Sequence, residues 1–144
     1  AWRENSKIDF NFSDAHDLYV SRDTSKTETL RANLRSRLSN AKQVVLIGTK
    51  TAKSKGDDGS SFLWYEVKTI ISLGLPVVVA NHDQDRTVDK TFIPKQFLDA
   101  DYYTLSVSFQ PAVIKEALDD IAGLAKKETG PHYYLSSVYE RLGI

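Results

Sequence analysis

The stretch that decides the fold runs from Ser60 to Asn81 and reads SSFLWYEVKTIISLGLPVVVAN. Its first half repeats apolar residues at helical spacing: Leu63, Val67, Ile70 and Ile71. This pattern predicts a helix from about Ser61 to Leu73, and Gly74 is typical of the residue that ends one. The run from Pro76 to Ala80 is continuously apolar, which indicates a parallel strand covered by helices on both faces.

Three further runs have the character of strands. The run from Lys7 to Phe12 alternates apolar and polar residues, whereas Val44 to Ile47 is continuously apolar and is expected to be buried. The run from Tyr102 to Val107 is mixed, which favours a strand at the edge of the sheet. Two polar stretches, Lys50 to Ser60 and His82 to Asp101, are predicted to be loops.

Helices separate these strands. A capping box of Ser25 and Glu28 opens an apolar stripe that continues to about residue 41. Pro111 is a favoured first residue for another helix, and a short last helix spans about residues 135–142. Strands that alternate with helices predict an α/β fold, a doubly wound parallel sheet of the flavodoxin-like type, in one domain over residues 1–144.

The composition excludes several classes of protein. Lys plus Arg and Asp plus Glu number 19 each, which gives no electrostatic reason to expect nucleic acid or a membrane surface as a partner. The absence of cysteine excludes disulfides and thiolate metal sites, and no two histidines have the i, i+4 spacing of a helical zinc site. No apolar run is long enough to span a membrane, so we expect a cytoplasmic protein. Because cysteine ligands and the histidine spacing of a zinc site are missing, we expect no metal.

Parallel sheets of this type bind ligands outside the carboxyl ends of their strands. Asp14 and His16 follow the first run and can hold a ribose or a metal, although an Asx-type turn with solvated charges is the favoured interpretation. The loop after Ile47 has hydroxyls and lysines that can meet phosphate, but it has no P-loop pattern and can equally be a solvated loop.

Glu66 is a carboxylate within the predicted helix that follows Ser61. It shares a helix face with Phe62, at the flank of the apolar stripe and in the early turns of the helix. Aromatic residues around a carboxylate can exclude water and tune its pKa. The alternative is an ordinary glutamate in the first half of a helix, where the helix dipole favours it.

Four segments together resemble a known family: KIDFNFSDAHD, VVLIGTKT, SSFLWYEVKTIISLGLPVVVAN and FQPAVIKEALDDIA. Their order and spacing are similar to the TIR-like family that includes the ThsB proteins of bacterial Thoeris anti-phage systems. Ser60 and Glu66 match the family's Ser and Glu, while Phe62 takes the position of its Trp. Two features depart from the pattern, an extra Gly56 to Gly59 and a missing first strand. The resemblance therefore predicts about 20 residues ahead of Ala1.

The resemblance implies an enzyme that uses NAD as substrate and needs no other cofactor. Such an enzyme breaks the nicotinamide–ribose bond, with Glu66 as the catalytic residue, and makes an ADP-ribose-derived signal that activates a partner effector. It also implies self-association into a homo-oligomer, and it makes the stretch from Lys50 to Ser60 a candidate lid. The substrate-binding candidates lie at strand ends or beside Glu66: Asp14, His16, Thr49, Phe62, Tyr65 and Asn81.

Two other functions compete with this one. A non-catalytic TIR-like module would act by protein–protein assembly. A receiver domain would need a phosphorylatable Asp on the strand from Val44, and no Asp occurs there. Because one fold supports all three functions, the fold does not choose among them.

Overall fold

The sheet has four parallel strands in the computed structural model, which describes residues 27–124 and 128–144. In order across the sheet they are β1 (Val44–Gly48), β2 (Val77–Asn81), β3 (Thr104–Ser108) and β4 (Pro131–Tyr133). Every neighbouring pair is parallel. The predicted α/β fold with a doubly wound parallel sheet is confirmed.

Helices cover both faces of the sheet. They are α1 (Thr27–Ser39), α2 (Lys50–Asp57), α3 (Phe62–Leu73), α4 (Lys95–Asp99), α5 (Pro111–Leu124) and α6 (Ser136–Leu142), with a 3₁₀ turn at Lys90–Phe92. Side chains from α1, α3 and α4 pack against Val77 and Val79 of β2. Those from α5 and α6 pack against Val78 and Ala80 on the opposite face. This two-sided burial explains why β2 is apolar at each of these positions.

Helix α3 begins and ends close to its predicted bounds. The Ser61 hydroxyl accepts a hydrogen bond from the N–H of Trp64, so Ser61 is the N-cap. Gly74 adopts the left-handed conformation at φ 67°, and its N–H donates to the carbonyls of Ile70 and Ile71. Both signals are local in sequence, so the sequence could predict them.

Two expectations about strand burial are wrong. Strand β1 is only half-buried and Ile47 is 38% exposed, because among the described residues β1 pairs with β2 alone. Strand β3 is not an edge strand, since it pairs with β2 on one side and with β4 on the other, and all five of its residues are buried. The unpredicted β4 covers the outer side of β3.

Both predicted loops contain helices. Residues 50–57 form α2, whose N-cap is Thr49, and the stretch after β2 contains the 3₁₀ turn and α4. Phe92 and Phe97 from this stretch are buried in the core. The loop predictions are wrong because they depend on polar composition alone. Polar composition does not reveal the few apolar residues that anchor each short helix.

Part of the sequence-based interpretation lies outside the described residues: the strand from Lys7 to Phe12, the capping serine Ser25, and the ligand candidates Asp14 and His16. In the part of the chain that is described, none of the helices has the length and apolar character that a membrane crossing requires.

Candidate active site

The carboxyl ends of β1, β2 and β3 form one edge, and three residues share a row along it. Gly48 lies opposite Asn81, and Asn81 lies opposite Ser108. Asn81 and Ser108 are both fully buried. Ligands of open parallel sheets bind beyond such an edge.

Glu66 is more deeply buried than its position in the sequence predicts. It is 7% exposed, next to Val67 at 1% and close to Thr69 at 2%. Its burial therefore exceeds what a position at the flank of the apolar stripe indicates. Helix α3 contacts α1, α2 and α4, and these neighbours cover more of its surface than a single apolar stripe.

Helix geometry places Glu66 near the carboxyl edge. Helix α3 ends at Leu73, and the chain then enters the amino end of β2. Glu66 precedes Leu73 by two turns, a rise of about 10 Å, and five strand residues rise roughly 13 Å. Because a crossover helix runs antiparallel to its strands, Glu66 lies at the height of the last residues of β2.

The two aromatic neighbours of Glu66 have different surroundings. Phe62 is half-buried against the core and shares a helix face with Glu66. The ring of Tyr65 lies 4.8 Å from the guanidinium carbon of Arg31, so Tyr65 is directed towards α1. Tyr65 therefore contacts α1, and its role in substrate binding stays a prediction.

A comparison with family models identifies the chain. The model described as Thoeris protein ThsB, TIR-like domain, matches residues 1–87. The chain belongs to this family. The match spans β1, α3 and β2, and therefore includes Glu66 and Asn81 but ends before β3. Among curated proteins, none matches the chain significantly.

Asn81 of the TIR-like domain organises the loop that follows β2. Its side-chain amide nitrogen donates to the carbonyls of Asp85 and Thr87, each at 2.9 Å. Both amide hydrogens are thereby used inside the protein. Of the polar atoms in the Asn81 side chain, only Oδ1 therefore remains available to contact a ligand.

Thr49 has a structural task at the end of β1. Its hydroxyl accepts a hydrogen bond from the N–H of Ala52 at 2.9 Å and caps α2. The hydroxyl can still donate a hydrogen bond to a ligand. A ligand of Thr49 would lie at the amino end of α2.

Helix α2 is fastened to the segment that precedes α4. The amine of Lys53 donates to the carbonyl of Ile93 at 2.7 Å, and the Asp57 carboxylate accepts from the N–H of Lys95. Gly56 is buried against the ring of Pro94. A lid movement of residues 50–57 would have to break all three contacts.

Ser60, which matches the family's serine, is not the N-cap of α3. The backbone N–H and the hydroxyl of Ser60 both donate to Asp58 Oδ1, which lowers the pKa of that carboxyl. Ser61 caps α3 instead. Ser60 thus orders the turn that leads into the helix of Glu66.

The sequence analysis did not single out two polar groups near the carboxyl edge. Asp83, Asp85 and Asp89 have carboxylate oxygens within 4.8 Å of one another, but these oxygens accept hydrogen bonds from nearby residues of the same segment. Ser108 is the other omission, since a serine in a mixed strand has no distinctive pattern. Its position opposite Asn81 is visible only in the strand register.

Proposed function

We propose that this TIR-like domain cleaves the nicotinamide–ribose bond of NAD, with Glu66 as the catalytic carboxylate. Membership of the ThsB TIR-like family indicates a role in Thoeris anti-phage defence. The observation that carries the proposal is the burial of Glu66, 7% exposed, on a helix that runs along the sheet towards its carboxyl edge. A carboxylate so removed from water needs a reason beyond helix propensity.

The chemistry requires little more than one such group. As the bond to nicotinamide breaks, positive charge develops on the ribose ring, and a nearby carboxylate stabilises it. Nicotinamide leaves as a neutral molecule from a cationic pyridinium, so no strong general acid is needed. Burial strengthens the electrostatic effect because little water screens it. The chain supplies no cysteine nucleophile, which agrees with this simple mechanism.

The product and its destination extend the proposal. The ADP-ribose part is converted into a nucleotide signal that activates a partner effector. The predicted substrate-binding residues contribute to the binding of NAD: Asp14, His16, Thr49, Phe62, Tyr65 and Asn81. The domain acts on cytoplasmic NAD, and self-association completes its site.

The test is chromatography of NAD after incubation with the protein. The proposal predicts nicotinamide and an ADP-ribose-derived product in equal amounts. Nicotinamide mononucleotide and AMP would instead indicate cleavage of the diphosphate and contradict the proposal. Activation of the effector without any consumption of NAD would replace it with the assembly-module function.

A further inference from the structure

Two buried polar atoms at the carboxyl edge have no hydrogen-bond partner among the described residues: Asn81 Oδ1 and Ser108 Oγ. The two residues are register partners on neighbouring strands, and both are 0% exposed. Their side chains lie on the same face of the sheet, because Leu105 and Val107 of β3 occupy the other face. This is also the face against which α3 packs, through Val67 and Ile70.

The two groups are chemically complementary rather than alike. Both amide hydrogens of Asn81 are used in the loop, so its remaining atom, Oδ1, can only accept a hydrogen bond. The Ser108 hydroxyl can donate one. An unsatisfied buried group costs roughly 1–3 kcal/mol, and such a group in a native protein calls for an explanation.

Gly48 completes the row on its other side. A β-carbon there would lie 3.1 Å from Asn81 Oδ1 and 3.3 Å from the β-carbon of Phe92. A side chain at Gly48 would therefore press against Asn81 Oδ1 from the side of β1.

We propose that Asn81 Oδ1 and Ser108 Oγ together bind a primary carboxamide. The amide NH₂ donates to Asn81 Oδ1, and the amide oxygen accepts from the Ser108 hydroxyl. Neighbouring strands lie about 4.8 Å apart. Two hydrogen bonds of about 2.9 Å that diverge from one amide group span roughly that distance. The inference rests on the proposed function, in which the carboxamide is that of the nicotinamide ring of NAD.

The same strand provides a matched control. Ser106 lies on the same face of β3, is also fully buried, and its hydroxyl likewise has no partner among the described residues. Its register partner, however, is the apolar Val79, which offers no acceptor. Ser106 is also two residues below the edge. A carboxamide therefore has its donor–acceptor pair at Ser108 and not at Ser106.

The test is titration of the full 144-residue chain with nicotinamide, followed by NMR, in the wild type, Ser108→Ala and Ser106→Ala. Loss of one hydrogen bond in Ser108→Ala should raise the dissociation constant roughly three- to tenfold. Ser106→Ala should leave it unchanged. Nicotinic acid should bind the wild type at least about tenfold more weakly, because its carboxylate presents no donor to Asn81 Oδ1.

A second variant changes the site from the side of β1. Gly48→Ala brings a methyl group against Asn81 Oδ1 and should also weaken nicotinamide binding, while its melting temperature reports whether the fold is kept. Equal affinities of the wild type and Ser108→Ala, equal effects of the two serine variants, or no saturable binding to the wild type would each overturn the proposal.

Turnover of NAD, measured in parallel, separates this inference from the proposed function. Nicotinamide binding that depends on Ser108 in a protein without turnover would support the carboxamide site and contradict the enzymatic function. Turnover with a KM that Ser108→Ala does not change would support the function and overturn the carboxamide site.

Discussion

Gly56→Ala should destabilise the protein even though alanine is the better helix former. A β-carbon at Gly56 would lie 2.8 Å from Cγ and 2.9 Å from Cβ of Pro94. Carbon atoms in contact are normally about 3.5–4.0 Å apart. Pro94 is itself buried at the start of α4, so α2 would have to shift and loosen the contact between Lys53 and Ile93.

The magnitude follows from comparison with Gly123→Ala. Gly123 also lies in a helix, α5, but a β-carbon there would meet nothing within 4 Å. Both variants gain helix propensity of up to about 1 kcal/mol. Overpacking against Pro94 should therefore separate their free energies of unfolding by roughly 1–3 kcal/mol, with Gly56→Ala the less stable.

Urea denaturation followed by circular dichroism measures this difference. Gly123→Ala should be as stable as the wild type or slightly more stable, and Gly56→Ala should unfold at lower urea. Equal midpoints and slopes for the two variants would refute the close packing of α2 on the segment before α4.

Three other predictions concern the interior and the loop beyond β2. Tyr139→Phe removes the acceptor of the Ser108 N–H, so the free energy of unfolding should fall by about 1–3 kcal/mol in urea titrations; an unchanged value would contradict this contact. Asn81→Ala should speed hydrogen exchange in residues 82–89, which its amide holds, and unaltered exchange would remove that role. Burial raises the pKa of Tyr102 to about 12, so its contribution to stability should be complete below about pH 10 and lost as the pH rises towards 12. Melting measured across that range should show a smaller loss in Tyr102→Phe than in the wild type, and equal losses would contradict the shift.

The elements that the sequence predicted well depend on signals within a few residues. Helix α3 has a capping serine, an apolar stripe and a terminal glycine, and β2 is an unbroken apolar run. Each signal reflects hydrogen bonding or burial that the segment itself dictates. Such elements are recognisable before any tertiary contact is known.

The elements that the sequence missed depend on contacts between distant residues. The segment of α2 has the composition of a loop, and its helix is held by Ile93, Pro94 and Lys95, about 40 residues further along. Strand β4 has only three residues and, within the described part of the chain, pairs with β3 alone. Neither arrangement leaves a local pattern in the chain.

The candidate site likewise combines features that the sequence predicted with features that it did not. The family resemblance selected Glu66, but its burial results from helices that pack around α3 and was not predictable from a single stripe. Thr49 and Asn81 were selected because they end strands. Their tasks in capping and loop ordering come from hydrogen bonds that the sequence does not reveal.

The rate of nicotinamide release by Glu66→Gln, relative to the wild type, tests the central claim most directly. Glutamine keeps the size of the side chain and removes its charge, so the rate should fall on the order of 10²–10³-fold. Glu140→Gln removes the same charge at an exposed position on α6 and should release nicotinamide at the wild-type rate. A folded Glu66→Gln protein, verified by near-UV circular dichroism, that released nicotinamide as fast as the wild type would contradict the account.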